Sequence, residues 1–374
     1  MDTELTDDQR ALLDVSTRFM DSSCPLGAIR DGSWKDPGTA SAYRRQAGEL
    51  GWYSMLVPES LGGGSVSGDG VLDASLIAYE RGARLQPGSF VGTNVVAYAI
   101  AHAGTDALRE AVLPALLSGE ASATWAVAGG AAGPLGVGVD ARVLDDGRLE
   151  LTGAHSTVQD ADQAAWLLVT CATPEGPTQA LVAADAEGVT VTELDALDLS
   201  RRFFEVRLDA VTVDASAVVG APGDAADLLE QQLAIATTLL TAETVGAMNR
   251  DFETTVQYAK DRIAFGRPIG SFQGVKHQLA DTSLALEMSK AVTLAAARTV
   301  GADDDYGPQA ASMAKAFVGE AGIDLVQTCF QVYGGIGYTW EHDQHLYLRR
   351  ITTDAGLFGD PNWHREHLCT LAGL

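Results

Sequence analysis

Basic residues are scarce: 25 Lys and Arg stand against 50 Asp and Glu, leaving a formal net charge of −25 over 374 residues. So acidic a surface repels phosphate backbones and anionic headgroups, which argues against nucleic acid and membrane surfaces as partners. No uninterrupted apolar run reaches the roughly 18–20 residues a membrane span needs. The opening Met1-Asp2-Thr3-Glu4-Leu5 is acidic and lacks the basic-then-apolar layout of a secretory leader. The four cysteines, Cys24, Cys171, Cys329 and Cys369, are dispersed without a CxxC pairing and read as reduced thiols of a cytoplasmic chain. HExxH, Cys/His clusters and GxxxxGKS/T are absent, so zinc-hydrolase and P-loop chemistry have no motif to rest on. What remains is a chain with 46% hydrophobic and 20% charged residues, able to bury a sizeable core in two or three domains.

The texture changes twice along the chain. Residues 1–120 read as a helical domain: apolar residues at helical spacing run from Leu5 to Met20, from Ser41 to Gly51, from Val71 to Arg84, from Val91 to Ala103 and from Ala107 to Leu117. Thr6 followed by Gln9 spells a capping box. Residues 121–222 switch to short β-rich runs between Gly and Asp turns, with Asp145-Asp146-Gly147 as a hairpin signal, and suggest a small barrel or sandwich. Residues 223–374 return to long helices (Ala226 to about Arg262, Gln273 to Val300, Gln309 to Tyr333, and a segment from about His345), the pattern of an up-and-down four-helix bundle. The fold class is thus α+β.

Two segments carry chemistry. One runs from Arg262 through Phe265-Gly266-Arg267-Pro268 to Gln273; the other is Gln331-Val332-Tyr333-Gly334-Gly335-Ile336-Gly337. Each has a plain reading as a helix turn or a Gly-rich helix end. Each also suits a dianionic cofactor. Gly334 and Gly335 let a phosphate approach their N–H groups, Arg262 offers a fixed charge to a pyrophosphate, Phe265 can cover a flat ring, and Gln273 can bond a purine edge or ribose. No GxGxxG opens a βαβ unit, so a dinucleotide would bind by another fold than the Rossmann one.

These segments, together with Leu50-Gly51-Trp52, Val57-Pro58-Glu59, Leu116-Leu117-Ser118-Gly119-Glu120 and Leu197-Asp198-Leu199-Ser200-Arg201-Arg202, resemble the acyl-CoA dehydrogenase family nearly end to end. The resemblance implies a helical domain, a β-barrel and a four-helix bundle, with FAD held between subunits of a dimer or tetramer. It implies that Arg262, Phe265 and Gln273 reach the adenine or pyrophosphate half of a neighbour's FAD, with Gln331, Gly334 and Gly335 along the same cofactor. It further implies α,β-dehydrogenation of an acyl-CoA or related thioester, with electrons passed to an electron-transfer flavoprotein.

The pattern departs at the base. Members of the family take the Cα proton with a carboxylate while the flavin takes the hydride. The usual Glu position, counted from Gly334, falls at Phe358; the alternative placement on the first bundle helix falls at Ala236. A carboxylate farther along that helix is Glu243, about 10 Å on along the same face. Its apolar sequence neighbours should raise its pKa and suit it to be the base; Asp360 is a second candidate. In the β domain, the segment Trp125-Ala126-Val127-Ala128-Gly129-Gly130-Ala131-Ala132-Gly133 replaces a Thr-Glu-Pro-Gly-like loop. Thr157 or Gln159 stands where a residue would hydrogen-bond the flavin, and His155 reads as a surface or turn residue. Three functions follow: a dehydrogenase active as a homo-oligomer, a subunit of a mixed α2β2 dehydrogenase without a complete site of its own, or a family member recruited to other chemistry.

Overall fold

The computed structural model describes residues 5–127, 133–302 and 305–374. Helix α1 (Asp7–Ser23) opens on the expected capping box: the Gln9 N–H donates to Thr6 Oγ1 at 3.1 Å, and the Thr6 N–H donates to Gln9 Oε1 at 3.0 Å. Short α2 (Leu26–Asp31) and α3 (Pro37–Glu49) lead to α4 (Gly70–Ala83), α5 (Phe90–Ala103) and α6 (Asp106–Leu117). Helices α4 and α5 are buried along most of their length, α5 as a helix apolar all round must be, and α4 with Asp73 and Arg81 paired inside.

Eight strands follow: β1 (Ala123–Ala126), β2 (Val139–Val143), β3 (Leu149–Gln159), β4 (Trp166–Thr173), β5 (Gly176–Ala183), β6 (Val189–Leu194), β7 (Phe203–Val213) and β8 (Val218–Val219). They form one sheet in the order β6-β7-β3-β2-β4-β5-β8, with β1 parallel to β4. Inward residues of β2, β3, β4, β5 and β7, among them Val139, Leu151, Leu167, Val182 and Val206, share a single helix-free core, so the sheet curls around itself. The Asp145-Asp146-Gly147 turn joins β2 and β3 as read from sequence, with Val143 opposite Leu149. Strands β3 and β7 are longer than the sequence pattern indicates. Register shifts between Leu151 and Gly153 and between His155 and Val158 break the alternation that the pattern relies on. On β3, His155 faces inward rather than lying on a surface turn: it is 1% exposed, and its Nε2 pairs with the Thr170 carbonyl at 3.0 Å.

The C-terminal part comprises α7 (Ala226–Asp261), the β9–β10 hairpin (Ile263–Ala264, Arg267–Pro268), α8 (Gln273–Gly301), α9 (Gly307–Tyr333), α10 (Gln344–Gly356) and α11 (Pro361–Leu371). The segment from His345 is thus two helices, interrupted where Phe358 (φ +54°) and Gly359 (φ +95°) turn left-handed before Pro361. Helices α4 and α7 cross at backbone contact. A Cβ on Gly82 would lie 1.8 Å from the Glu243 carbonyl oxygen, and one on Gly246 would lie 1.9 Å from that of Tyr79. Among the described residues, no helix is long and apolar enough to cross a membrane, and no cluster of His, Cys, Asp and Glu could hold a metal.

Candidate functional site

A cavity of about 580 Å³ opens between the β domain, the start of α5 and the turn from α10 to α11. Strands β1 and β3 contribute Trp125, Thr157 and Gln159; the turn contributes Phe358 and Asp360, and α11 contributes Trp363 and Glu366. Thr157 and Gln159 both line the cavity, and so does the position where the family's Glu is expected. Here that position is the ring of Phe358, which stacks on Trp125 with centroids 6.1 Å apart and planes at 21°.

The turn is fixed from behind. His364 Nε2 donates to the Phe358 carbonyl at 2.8 Å, and its Nδ1 pairs with Ser312 Oγ at 3.1 Å. Burial pushes the His364 pKa down to about 3, so the ring is neutral, with one donor and one acceptor matched to these partners. Asp360 is exposed and caps α11, accepting from the Trp363 N–H at 2.8 Å.

Glu243 corrects the sequence expectation. It does not line the cavity; it is 1% exposed at the junction of all three parts of the chain. Arg81 Nε donates to its Oε1 at 3.1 Å, Arg201 Nη2 donates to its Oε2 at 2.8 Å, and Arg350 Nη1 lies 3.6 Å from Oε2. Burial alone would raise its pKa, but Arg201, Arg81 and Arg350 together hold it below the usual carboxylate value. A carboxylate so stabilised and enclosed is a poor proton acceptor. Its apolar neighbours in sequence lie along its own helix, whereas its partners come from α4, the loop before β7, and α10.

The cage continues outward. Arg201 also bonds Asp354 Oδ1 at 2.8 Å and Gln159 Oε1 at 3.0 Å, which links the network to the cavity wall. Arg350 pairs with Asp198 at 3.3 Å and donates to Ser200 Oγ at 2.9 Å. Lys315, its pKa pushed down to about 7 by burial, donates to the Asp354 carbonyl. Ala236, the other base position implied by the resemblance, is fully buried on α7.

The candidate adenine-side residues gather elsewhere. Arg262 and Phe265 lie in the α7–α8 connection, and Gln273 begins α8. Phe265 is held at φ +52° and is 96% exposed. Gln331 is exposed on the last turn of α9, and nothing lies within 4 Å of where a Cβ on Gly334 or Gly335 would stand. Tyr258 and Tyr333 have ring centroids 4.7 Å apart, which brings both segments to one end of the bundle. That end is not the cavity's end. Pro361 packs on α9 at Gly319, and Gln331 lies roughly 18 Å farther along that helix. The residues present suit an adenine dinucleotide, with an exposed ring and guanidinium and open glycine backbone at one end and hydroxyl and amide groups at the other. One chain does not bring the two sets together. Trp363 and Glu366 carried no signal in the sequence, and Arg201 stood out only as part of the segment Leu197–Arg202; their places follow from contacts distant in the chain. Of the glycine-rich replacement loop, Ala128–Ala132 lie outside the described residues.

The family model "Acyl-CoA dehydrogenase, N-terminal domain" matches residues 6–120, and "Acyl-CoA dehydrogenase, C-terminal domain" matches residues 226–369. The chain is 32% identical to acyl-CoA dehydrogenase FadE34 of Mycobacterium tuberculosis; the match covers 97% of this chain and 48% of that protein, so the chain spans about half the length of this relative. It is 31% identical to acyl-CoA dehydrogenase IpdE2 of the same organism, over 89% of this chain and 87% of that one. Among solved structures it is similar to a variant of the Tcur3481–Tcur3483 steroid ACAD, with a TM-score of 0.87 and 27% identity over 98% of both chains. It is similar also to the ChsE4–ChsE5 complex from M. tuberculosis, with a TM-score of 0.85 and 26% identity over 100% of this chain and 99% of that one. With both terminal parts matched by the family's models and relatives of over 30% identity spanning most of the chain, the chain belongs to the acyl-CoA dehydrogenase family of FAD-dependent oxidoreductases.

Proposed function

We propose that the chain is a subunit of a mixed acyl-CoA dehydrogenase, in which it completes the FAD site of a homologous subunit that carries the base. The observation that carries this reading is Phe358: an aromatic ring occupies the cavity position where a carboxylate is expected, while Glu243 is locked among three arginines. Two further observations support it. The adenine-side residues and the cavity lie at different ends of one chain, so each flavin would draw on two. The relatives named Tcur3481–Tcur3483 and ChsE4–ChsE5 are two-component proteins by name, and FadE34 is about twice this chain's length.

In this assembly FAD, when bound, accepts the hydride from Cβ of the acyl thioester. This chain's Arg262 offers the pyrophosphate a fixed charge, Gln273 and Gln331 offer amides, and the backbone at Gly334 and Gly335 admits close approach. Trp125 and Phe358 wall the chain's own cavity with apolar surface and keep water off whatever enters it. The product is a 2,3-enoyl thioester, and electrons leave to an electron-transfer flavoprotein. The dispersed free cysteines suit a cytoplasmic setting.

A second reading keeps a homo-oligomer, with Asp360 as base, because Asp360 is a carboxylate on the cavity wall. Expression of the chain alone and beside a homologous subunit separates the two. The proposal expects little absorbance near ~450 nm from the chain alone, and a yellow, acyl-CoA-bleachable complex on co-expression that Arg262→Ala turns colourless. A yellow homo-oligomer that turns over acyl-CoA by itself would overturn it.

A further inference from the structure

A second cavity, of about 150 Å³, lies between α2–α3, the start of α5 and the end of β3. It shares no lining residue with the first cavity. Its volume is that of about five water molecules. Trp34, Tyr43 and Tyr53 supply aromatic wall; Ser89, Thr93 and Asp160 supply polar wall.

Two hydroxyls beside Asp160 are already spent on backbone. Ser89 Oγ and Thr93 Oγ1 both donate to the Ala123 carbonyl, at 3.0 and 3.1 Å. Their protons are used, and lone pairs are what remain. Asp160 is 3% exposed and held at φ +52°. Its Oδ2 accepts from Gln159 Nε2 at 3.1 Å, while its Oδ1 has no hydrogen-bond partner. A buried carboxylate oxygen without a donor is costly, and it is the kind of group a ligand satisfies. The cation on the wall, Arg44, is turned away, its Nε on the Gly119 carbonyl at 3.0 Å and its Nη2 on that of Glu120 at 3.1 Å.

We propose that this cavity is a binding site for a small alkylammonium ion, its –NH₃⁺ on Asp160 and its short chain against Trp34, Tyr43 and Tyr53. An ammonium brings three donors and a positive charge that can meet Asp160 directly, and aromatic faces favour a cation. The site also reaches the catalytic cavity. Gln159 lines that cavity and donates to Asp160 Oδ2, so an ammonium on Oδ1 draws on the same carboxylate charge and loosens the Gln159 bond. This coupling rests on the flavin reading above; the binding does not.

The test is a titration of the purified protein with n-butylammonium chloride, followed by calorimetry and by thermal unfolding, with n-butanol and sodium butyrate as controls. Saturable binding of the amine alone is expected, weakened at least tenfold in Asp160→Asn. Ala40→Leu, which fills the cavity and leaves Asp160 intact, should abolish binding and serves if the Asp160 variant fails to fold. Equal binding of butanol or butyrate, unchanged affinity in both variants, or no binding at all would overturn the site. Binding of the amine to the flavin-loaded complex should also shift the visible spectrum; binding with an unmoved spectrum would overturn the coupling.

Discussion

Arg201 Nη2 donates to Glu243 Oε2 at 2.8 Å, and both side chains are almost completely buried. Arg201 precedes β7, Glu243 lies in the middle of α7, and Arg81 and Arg350 join them from α4 and α10. Removing one member of such a group leaves charge buried without its counterpart, which costs about 3–5 kcal/mol.

Glu243→Gln should therefore act on folding. Its denaturant midpoint should fall by an amount worth about 3–5 kcal/mol, whatever the fate of activity. A variant with an unchanged midpoint and no thioester-dependent bleaching would restore Glu243 as the base.

The crossing of α4 and α7 leaves no room for a methyl group. Gly82→Ala and Gly246→Ala each place a Cβ within 2 Å of a backbone carbonyl of the other helix. Each should destabilise the protein by about 3 kcal/mol or more, since backbone on both sides must move. Soluble yield and thermal midpoint would show it. A fully stable Gly82→Ala would mean the helices can part without loss.

Asp360 tests the homo-oligomeric reading. Asn is as good a helix cap as Asp, so Asp360→Asn should keep stability within about 0.5 kcal/mol, whereas Asp360→Ala should lose about 1 kcal/mol. On the mixed-subunit reading, turnover of the co-expressed complex should not change in Asp360→Asn. A hundredfold loss there would place the base at Asp360.

His364 makes the protein acid-sensitive. Its pKa is held at about 3 when folded and returns to the ordinary 6.5 on unfolding. Between these values the unfolded chain binds the extra proton, so the contribution to stability is complete above about pH 6.5 and declines as pH falls toward 3. The slope is about 1.4 kcal/mol per pH unit. Gln can keep the bond to the Phe358 carbonyl without titrating, so stability curves of the wild type and His364→Gln should converge as the medium is acidified. Parallel curves would mean that folding does not lower the His364 pKa.

Local signals in the sequence proved legible where the physics is local. The Thr6–Gln9 box and the Asp145-Asp146-Gly147 turn act over three or four residues, and both are present as read. The long helices α7, α8 and α9 begin and end close to their expected bounds. Legibility ended where partners come from far along the chain. Glu243 reads as apolar in its surroundings among Leu239, Leu240, Ala242 and Val245, yet those surroundings are set by Arg81 and Arg201, 162 and 42 residues away. His155 reads as a turn residue because a bulge disturbs the strand pattern around it. In the sequence, the glycine and arginine segments read as an anion site and Phe358 as the place of the missing base; that Phe358 stacks on Trp125, more than 200 residues away, no local pattern could show.

The arginine cage also bears on how the molecule comes apart. Its members are drawn from the first helices, the strand region and the bundle, so none of the three parts can leave without stranding charge in the other two. Three architectural pieces should then melt as one thermodynamic unit, with a single calorimetric transition, and a protease that cuts between β8 and α7 should release no stable fragment.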